Sequence, residues 1–391
     1  MSVAGNYILT IKIGDDEVVI EPQKIEELTI TQDIDRFLPV FRLRVKDPTA
    51  ALTQIIPFDK ASNTISIGIA RGDTHNNLNE FKFTVERRVC IEEDTYEISG
   101  VLDIDDLFSA SKIRSLTGNL KDNLEVLATD ELKISEVEVG SSLDYDKTII
   151  QPNWNNAGLL KYLRYNLLGK GEEAGYFCFI KNKNGQTIFV FKSLFELYLN
   201  SVKYKFIVGP DSRKNYYPVS SFKIYDNSEL ITDYGALSQR YEYFKYSTGE
   251  YLSESIPIEN FSSLTDYFLV DKEDKVSGIS FMGVGHSNSF TSDFKGRVKN
   301  NYYRRLGDLI HMWISTYGLE DISPGDIVQV VFGEMLHRKQ LFLYQHSGLW
   351  MVKRVVHIVG KSFLSNLLLV RNGIDTDMDT SLLPAINQRK L

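Results

Sequence analysis

Through most of this chain apolar residues recur at every second position, the period of a strand with one buried face. Tyr7–Ile13 (YILTIKI) alternates in this way and meets Gly14-Asp15-Asp16, a hairpin signal leading into 17–20. Segments 27–31, 40–45 and 64–70 (TISIGIA) continue the pattern, with Pro39, Pro48 and Pro57 in the loops. Residues 83–102 (FTVERRVCIEEDTYEISGVL) read as a hairpin, and 102–106 closes an all-β unit of about the first hundred residues. Regularly spaced short strands of this kind predict a small barrel or sandwich.

The same pattern returns near the end. Residues 350–372 (WMVKRVVHIVGKSFLSNLLLVRN) form a second predicted hairpin, turning at Gly360-Lys361-Ser362. Laid on 83–102 without gaps, Trp350 falls on Phe83, Val352 on Val85, Arg354 on Arg87, Val356 on Val89, Ile358 on Ile91 and Phe363 on Tyr96. Each hairpin follows another β-rich run, 64–70 in one case and 326–332 (DIVQVVF) in the other. The simplest expectation is one β-unit used twice.

Between the two the period changes. Residues 120–132 predict a short helix, with Asp122 or Asn123 as cap. Residues 157–168 predict a clearer one, with Leu159, Leu163 and Leu167 on one face, Asn155 as N-cap and Gly169 as stop. Two strands, 175–181 and 186–192, flank an Asn184-Gly185 turn, which makes this stretch a compact α+β unit. Strands follow at 204–209 and 220–225. Residues 233–268 are polar and tyrosine-rich and read as an excursion with few periodic elements. The strongest helical pattern is 300–317, where Tyr302, Leu306, Leu309, Ile310, Trp313 and Tyr317 make one stripe ended by Gly318. Pro324-Gly325-Asp326 then turns into the second β-unit, and 372–391 reads as a tail.

Composition narrows the function. With 391 residues the chain has room for several domains. Its net charge of −8, with no Lys/Arg run longer than two, disfavours a tight grip on nucleic-acid phosphates. Two cysteines, Cys90 and Cys178, make no disulfide framework, and Cys90 is expected as a small buried hydrophobe. The start, MSVAGNYILT, lacks the features of a signal peptide. No apolar run approaches the ~20 residues of a membrane span, so stable membrane binding is not expected.

Candidate chemistry is thin. Asp375, Asp377 and Asp379 open like a calcium loop, but Thr380 stands where the glycine belongs and Ile386 at the terminal glutamate position. Asp103, Asp105 and Asp106 form an acidic cluster that reads as a charged strand end before it reads as an acid/base pair. Gly169-Lys170-Gly171 follows a helix and fits no phosphate-binding loop. Gly283, Gly285, His286 and Ser287 suggest a nucleophile elbow until Ser289 takes the place of its last glycine. The six histidines, His75, His286, His311, His337, His346 and His357, show no ligand spacing. No catalytic, cofactor or metal residue is assigned, and no cofactor is expected.

The order of features resembles one family, the central baseplate hub of contractile-tailed phages of the T-even type, related to the hub part of type VI secretion spike proteins. The resemblance rests on the N-terminal β-unit, Pro152-Asn153-Trp154 before a leucine helix, the hairpin after it, and Phe206-Ile207-Val208-Gly209. It rests further on the 299–317 segment, Pro324-Gly325-Asp326, and the final hairpin with Val352, Val355 and His357 through Arg371-Asn372. It implies a mainly β fold with α+β insertions: two tail-tube-like β-barrel domains and a middle α+β domain. The implied boundaries are 1–109 for the first barrel, 110–203 for the middle domain, 204–240 with 318–372 for the second barrel, 241–317 for an insertion including the long helix, and 373–391 for the tail. It further implies a non-enzymatic homotrimer in the virion, made in the host cytoplasm. Three chains would present six barrels, adapting a sixfold tail tube to a threefold central spike. The implied partners are that spike, the tail tube, the tape measure protein, surrounding baseplate proteins and DNA in passage. Two other classes compete: a carbohydrate-binding adhesin using the tyrosines of 241–251, and a cell-wall hydrolase using Asp103 and Asp105.

Overall fold

The structure, a computed structural model, describes residues 7–13, 24–48, 64–71, 79–109, 111–210, 213–226, 239–245, 248–256, 279–285, 295–301, 303–304, 307–333 and 346–371. The fold is mainly β. The first unit contains β1 (Tyr7–Ile13), β2 (Ile25–Asp33), β3 (Val40–Lys46), β4 (Thr64–Arg71), β5 (Asn79–Glu92) and β6 (Thr95–Leu102). They lie in the order β1-β4-β5-β6-β3-β2, each pair antiparallel. Alternation sends Phe41, Leu43 and Val45 of β3 inward, where they meet Ile65, Ile67, Phe81 and Phe83. The rings of Phe41 and Phe83 lie 4.8 Å apart.

The middle unit contains β7 (Lys112–Leu116), α1 (Leu120–Val126), β8 (Glu136–Val139), β9 (Ile149–Trp154), α2 (Asn156–Asn166), β10 (Tyr176–Lys183), β11 (Gln186–Ser193) and α3 (Leu194–Tyr198). The α1 cap is Asn119, upstream of the expected Asp122 or Asn123. Asn119 has the extended backbone a cap requires, and its side chain accepts from the Lys121 and Asp122 amides. Asn155 caps α2 as expected, accepting from the Gly158 amide at 2.8 Å. That helix ends as Leu167 turns extended, and Gly169, at φ −83°, is no left-handed stop. Asn184 and Gly185 both take positive φ, 53° and 77°, the turn that matches the twist of a two-residue hairpin.

The β10–β11 hairpin is buried on both faces. Tyr176, Cys178, Ile180, Phe189 and Phe191 join the core of the first unit. Phe177, Phe179, Ile188 and Val190 join the core of the second. One period-two hairpin thereby divides its side chains between two hydrophobic cores.

The chain continues with β12 (Val202–Val208), β13 (Tyr217–Asp226), and a separate sheet of β14 (Gln239–Lys245), β15 (Glu250–Ile256) and β16 (Ile279–Gly285). Next come a helix, α4, described over 295–301 and 303–304, then β17 (Ile310–Tyr317), β18 (Ile327–Phe332), β19 (Gly348–Val359) and β20 (Phe363–Arg371). Strands β12, β18, β19, β20, β17 and β13 form a closed six-stranded barrel, since β12 also pairs with β13.

Numbered by order of appearance, both units run 1-4-5-6-3-2 across the sheet. Their irregularities coincide as well. The ladder of β5 skips Glu86 against β6, and the ladder of β19 skips Lys353 against β20. These two bulges fall on one another in the gapless alignment of the two hairpins. Likewise β2 skips Glu26 against β3, and β13 skips Ser220 against β17. Bulges fix where a strand bends, so the repeat extends to backbone shape. Three differences stand out. Strand β5 skips a second residue against β6, Ile91, where β19 has no matching skip. Tyr96 lies opposite Cys90 where Ser365 lies opposite His357, so the return strands align two residues further on than the expected Tyr96–Phe363 match. And β12 runs parallel to β18, whereas β1 runs antiparallel to β4.

Three expectations are corrected. The helix expected over 300–317 holds only at its start: α4 is described over 295–301 and 303–304, and Ile310–Tyr317 is a barrel strand. Ile310, Met312, Ile314 and Thr316 are buried with their neighbours half-buried, an alternation that the 3–4 spacing of the larger stripe concealed. Gly318 therefore ends no helix; its amide donates to the Phe363 carbonyl at 3.0 Å, and a Cβ there would lie 2.1 Å from the Phe363 ring. Within the tyrosine-rich stretch, 239–245 and 250–256 pair as β14 and β15 rather than running aperiodic, and 233–238, 246–247 and 257–268 lie outside the described residues.

Candidate assembly interface

The two units join at β19 into one twelve-stranded sheet, and the successive halves of β19 pair with different units. Residues 348–351 pair with β18 inside the barrel, and 354–359 pair with β2 of the first unit. The bulge at Lys353 is the hand-over point. Six consecutive positions are matched across the seam, from Arg354 opposite Asp33 to Val359 opposite Leu28. Val355, His357 and Val359 are buried there, as are Leu28 and Ile30.

Charged groups gather at the hand-over. Lys353 Nζ donates to both Asp308 carboxylate oxygens, at 2.7 and 2.6 Å, and lies 2.9 Å from Asp35 Oδ2. Arg164 of α2 and Arg304 of α4 donate to Asp35 Oδ1 at 2.9 and 2.8 Å. Arg354 Nε donates to Asp33 at 2.6 Å. Burial by itself lowers the Lys353 pKa, but the Asp308 and Asp35 carboxylates outweigh it and hold the ammonium above its ordinary range. All four chain regions meet here, so the cluster clamps first unit, middle unit, α4 and barrel together. Sequence reading missed it because its partners stand far apart along the chain, Arg164 and Asp35 by 129 residues.

Further polar groups stitch the middle unit to the first. The Gln32 side chain accepts from the Asn182 amide at 2.9 Å, and Asn79 accepts from the Gly185 amide at 2.8 Å. Asn300 of α4 accepts from the Gly175 and Tyr176 amides at 2.6 and 3.0 Å. His357 is fully enclosed, with Nδ1 3.1 Å from Ser365 Oγ, and burial pushes its pKa down to about 4. It sits in the seam as a neutral imidazole.

The residues singled out for chemistry do not converge. Asp103 accepts from Thr84 at 2.9 Å and lies 3.4 Å from Lys82, while Asp106 pairs with Lys112 at 2.5 Å and Asp105 is exposed. Glu131, held down to about 2, is enclosed by Arg114, Lys112 and Asn156, whose hydrogen bonds outweigh the upward pull of burial. His311 lies on β17 rather than a helix, and His346 is buried beside Trp350. Cys90 is exposed, against expectation, on the half of β5 beyond its ladder with β4; Cys178 is buried. Gly171 lies in a tight turn at φ 69°. His75, His286, Ser287, Ser289, His337 and the 375–379 aspartates lie outside the described residues.

This fold is one that phage tail proteins of known structure also have. The tail protein of Neisseria meningitidis MC58 superposes with a TM-score of 0.57 at 12% identity, covering 94% of this chain and 97% of that one. The 43 kDa tail protein of prophage MuSo2 from Shewanella oneidensis gives 0.55 at 13% identity, covering 94% and 99%. No family model matches the sequence. No curated protein matches it.

Proposed function

We propose that this chain is the structural baseplate hub of a phage tail. Three copies form a ring that adapts the sixfold tail tube to the threefold central spike and lines part of the DNA channel. The observation that carries this reading is the duplication: two six-stranded units of one strand order, joined edge to edge within a single chain. Three chains then supply six units, the number a sixfold partner needs. The shared fold with two tail proteins supports the setting in the virion. The net charge of −8 suits a channel that DNA slides past, because acidic walls repel phosphates. We divide the chain into a first tube-like unit, a middle α+β unit, and a barrel interrupted by the β14–β16 sheet, and take its role as structural rather than catalytic. Its partners are the spike, the tube, the tape measure protein and neighbouring baseplate proteins.

The test is the mass of the purified full-length chain by light scattering, followed by negative-stain imaging. A trimer with six lobes around a channel supports the hub. A second reading, the adhesin, has Phe244 and Tyr251 in its favour: they face one another across β14 and β15 and are both exposed. Glycan binding by a monomer, with no ring, would favour it over the hub.

A further inference from the structure

The seam inside the chain predicts a seam between chains. By the coincident bulges, β5 corresponds to β19 and β2 corresponds to β13. In β19 the half beyond the bulge is covered by β2. In β5 the ladder with β4 reaches only to Thr84, and among the described residues no strand pairs beyond that point on the side away from β6. The same holds for β13. Strand β12 covers it only at 217–219, and among the described residues nothing pairs with 221–226 on the side away from β17. Among the described residues the chain thus carries one donor strand and one acceptor strand without a strand partner, the two parts of the joint it has already made once.

Resting on the ring reading above, we infer that the second half of β5 pairs antiparallel with β13 of another copy of this chain. The register follows from Arg354 opposite Asp33 through Val359 opposite Leu28. Transferred through the bulges, it sets Arg88 opposite Asp226, Val89 opposite Tyr225 and Cys90 opposite Ile224, as far as the second skip of β5 at Ile91. Exposure agrees with a missing partner. His357 is buried in β19 while its counterpart Cys90 is exposed in β5, and Ile358 is half-buried while its counterpart Ile91 is 43% exposed. Ile30 of β2 is 0% exposed; its counterpart Ile224 is half-buried, and Tyr225 beside it is 41% exposed. A single exposed strand edge of this kind invites pairing with any chain. Here the two edges are complementary and sit on different units, so the contact is head-to-tail and closes into a ring of alternating first and second units.

The test uses the native Cys90. Directly opposite residues in an antiparallel pair have Cα atoms about 4.5–5.5 Å apart, within disulfide reach. The full-length I224C chain, mildly oxidised, is expected to give linked species of two and three chains that collapse on reduction. A second design, V89C with Y225C in a C90S background, moves the bond one position along. Adjacent pairs alternate between wider and closer spacing, so one design falls on the closer type. Linked trimer from either, and none from wild type, supports the register. A trimer by light scattering that neither design links overturns this joint and leaves the ring reading standing. Disulfide-linked dimer from wild type through Cys90 alone means that β5 pairs with itself, and also overturns it. A chain that stays monomeric at every concentration and links in neither design overturns both the joint and the ring.

Discussion

The second halves of β5 and β19 start from the same bulge and differ in chemistry, and β5 alone skips a second residue at Ile91. After the bulge β19 reads Arg354-Val355-Val356-His357-Ile358-Val359, and β5 reads Arg87-Arg88-Val89-Cys90-Ile91-Glu92. The first is packed against β2 for the life of the folded chain; the second keeps charge at positions where its counterpart is apolar. A permanent joint inside one chain tolerates an apolar edge because it is never uncovered after folding. An edge that waits for a partner must stay soluble alone, and charges on edge strands are how that is managed. The difference therefore reads as a division between a joint of folding and a joint of assembly.

The contrast breaks most visibly at the acceptor strands. Ile30→Ala empties a fully enclosed site and is expected to cost about 3–4 kcal/mol of stability, whereas Ile224→Ala, half-buried in the lone chain, costs under about 1 kcal/mol. Denaturant melts of the two variants check this; equal losses would mean that β13 is already covered within the chain. The bulges come next. Lys353→Ala strands Asp308 and Asp35 without their ammonium and is expected to cost about 3 kcal/mol, while Glu86→Ala at the matching, exposed bulge changes stability by less than about 0.5 kcal/mol.

Acid separates the two halves further. His357 has a folded pKa of about 4 against an ordinary 6.5, so the folded state favours the neutral ring. Its contribution is complete above pH 6.5 and is lost as pH falls toward 4, by about 3 kcal/mol in all. His357→Phe is expected to flatten stability across that window, measured by denaturant melts at several pH values. Lys353 has the opposite sign: its raised pKa contributes fully below the ordinary lysine value and is lost as pH rises through the folded one. The smallest effect is Cys90→Ser, at the position matching His357. It is expected to leave the melt of the lone chain unchanged within about 0.5 kcal/mol, because the site is exposed.

Much of this fold could be read along the chain because period two is a strong signal. The match of Val85 with Val352 and of Arg87 with Arg354 survived into three dimensions because both hairpins bulge at the same step. The return strands slipped by two because the turn at Gly360–Ser362 is one residue longer than that at Glu93-Asp94, and because β5 skips Ile91 where β19 skips nothing. Strand β17 was misread since Leu309, Ile310, Trp313 and Tyr317 satisfy helical spacing while Ile310, Met312, Ile314 and Thr316 satisfy the strand period. The β-branched Ile314 and Thr316 were the available hint. The direction of β12 left no trace at all, because an alternating pattern is the same from either end. The clamp of Asp35, Arg164, Arg304, Asp308 and Lys353 had no local pattern, since each member comes from a different element.

The hairpin β10–β11 has a mechanical consequence. Because Phe179 and Phe189 anchor in different cores, neither core can loosen without exposing one face of the same two strands. A pull on the barrel is then carried to the first unit along two routes, the β19·β2 ladder and this shared rib. Two such routes side by side resist twisting where one alone would act as a hinge.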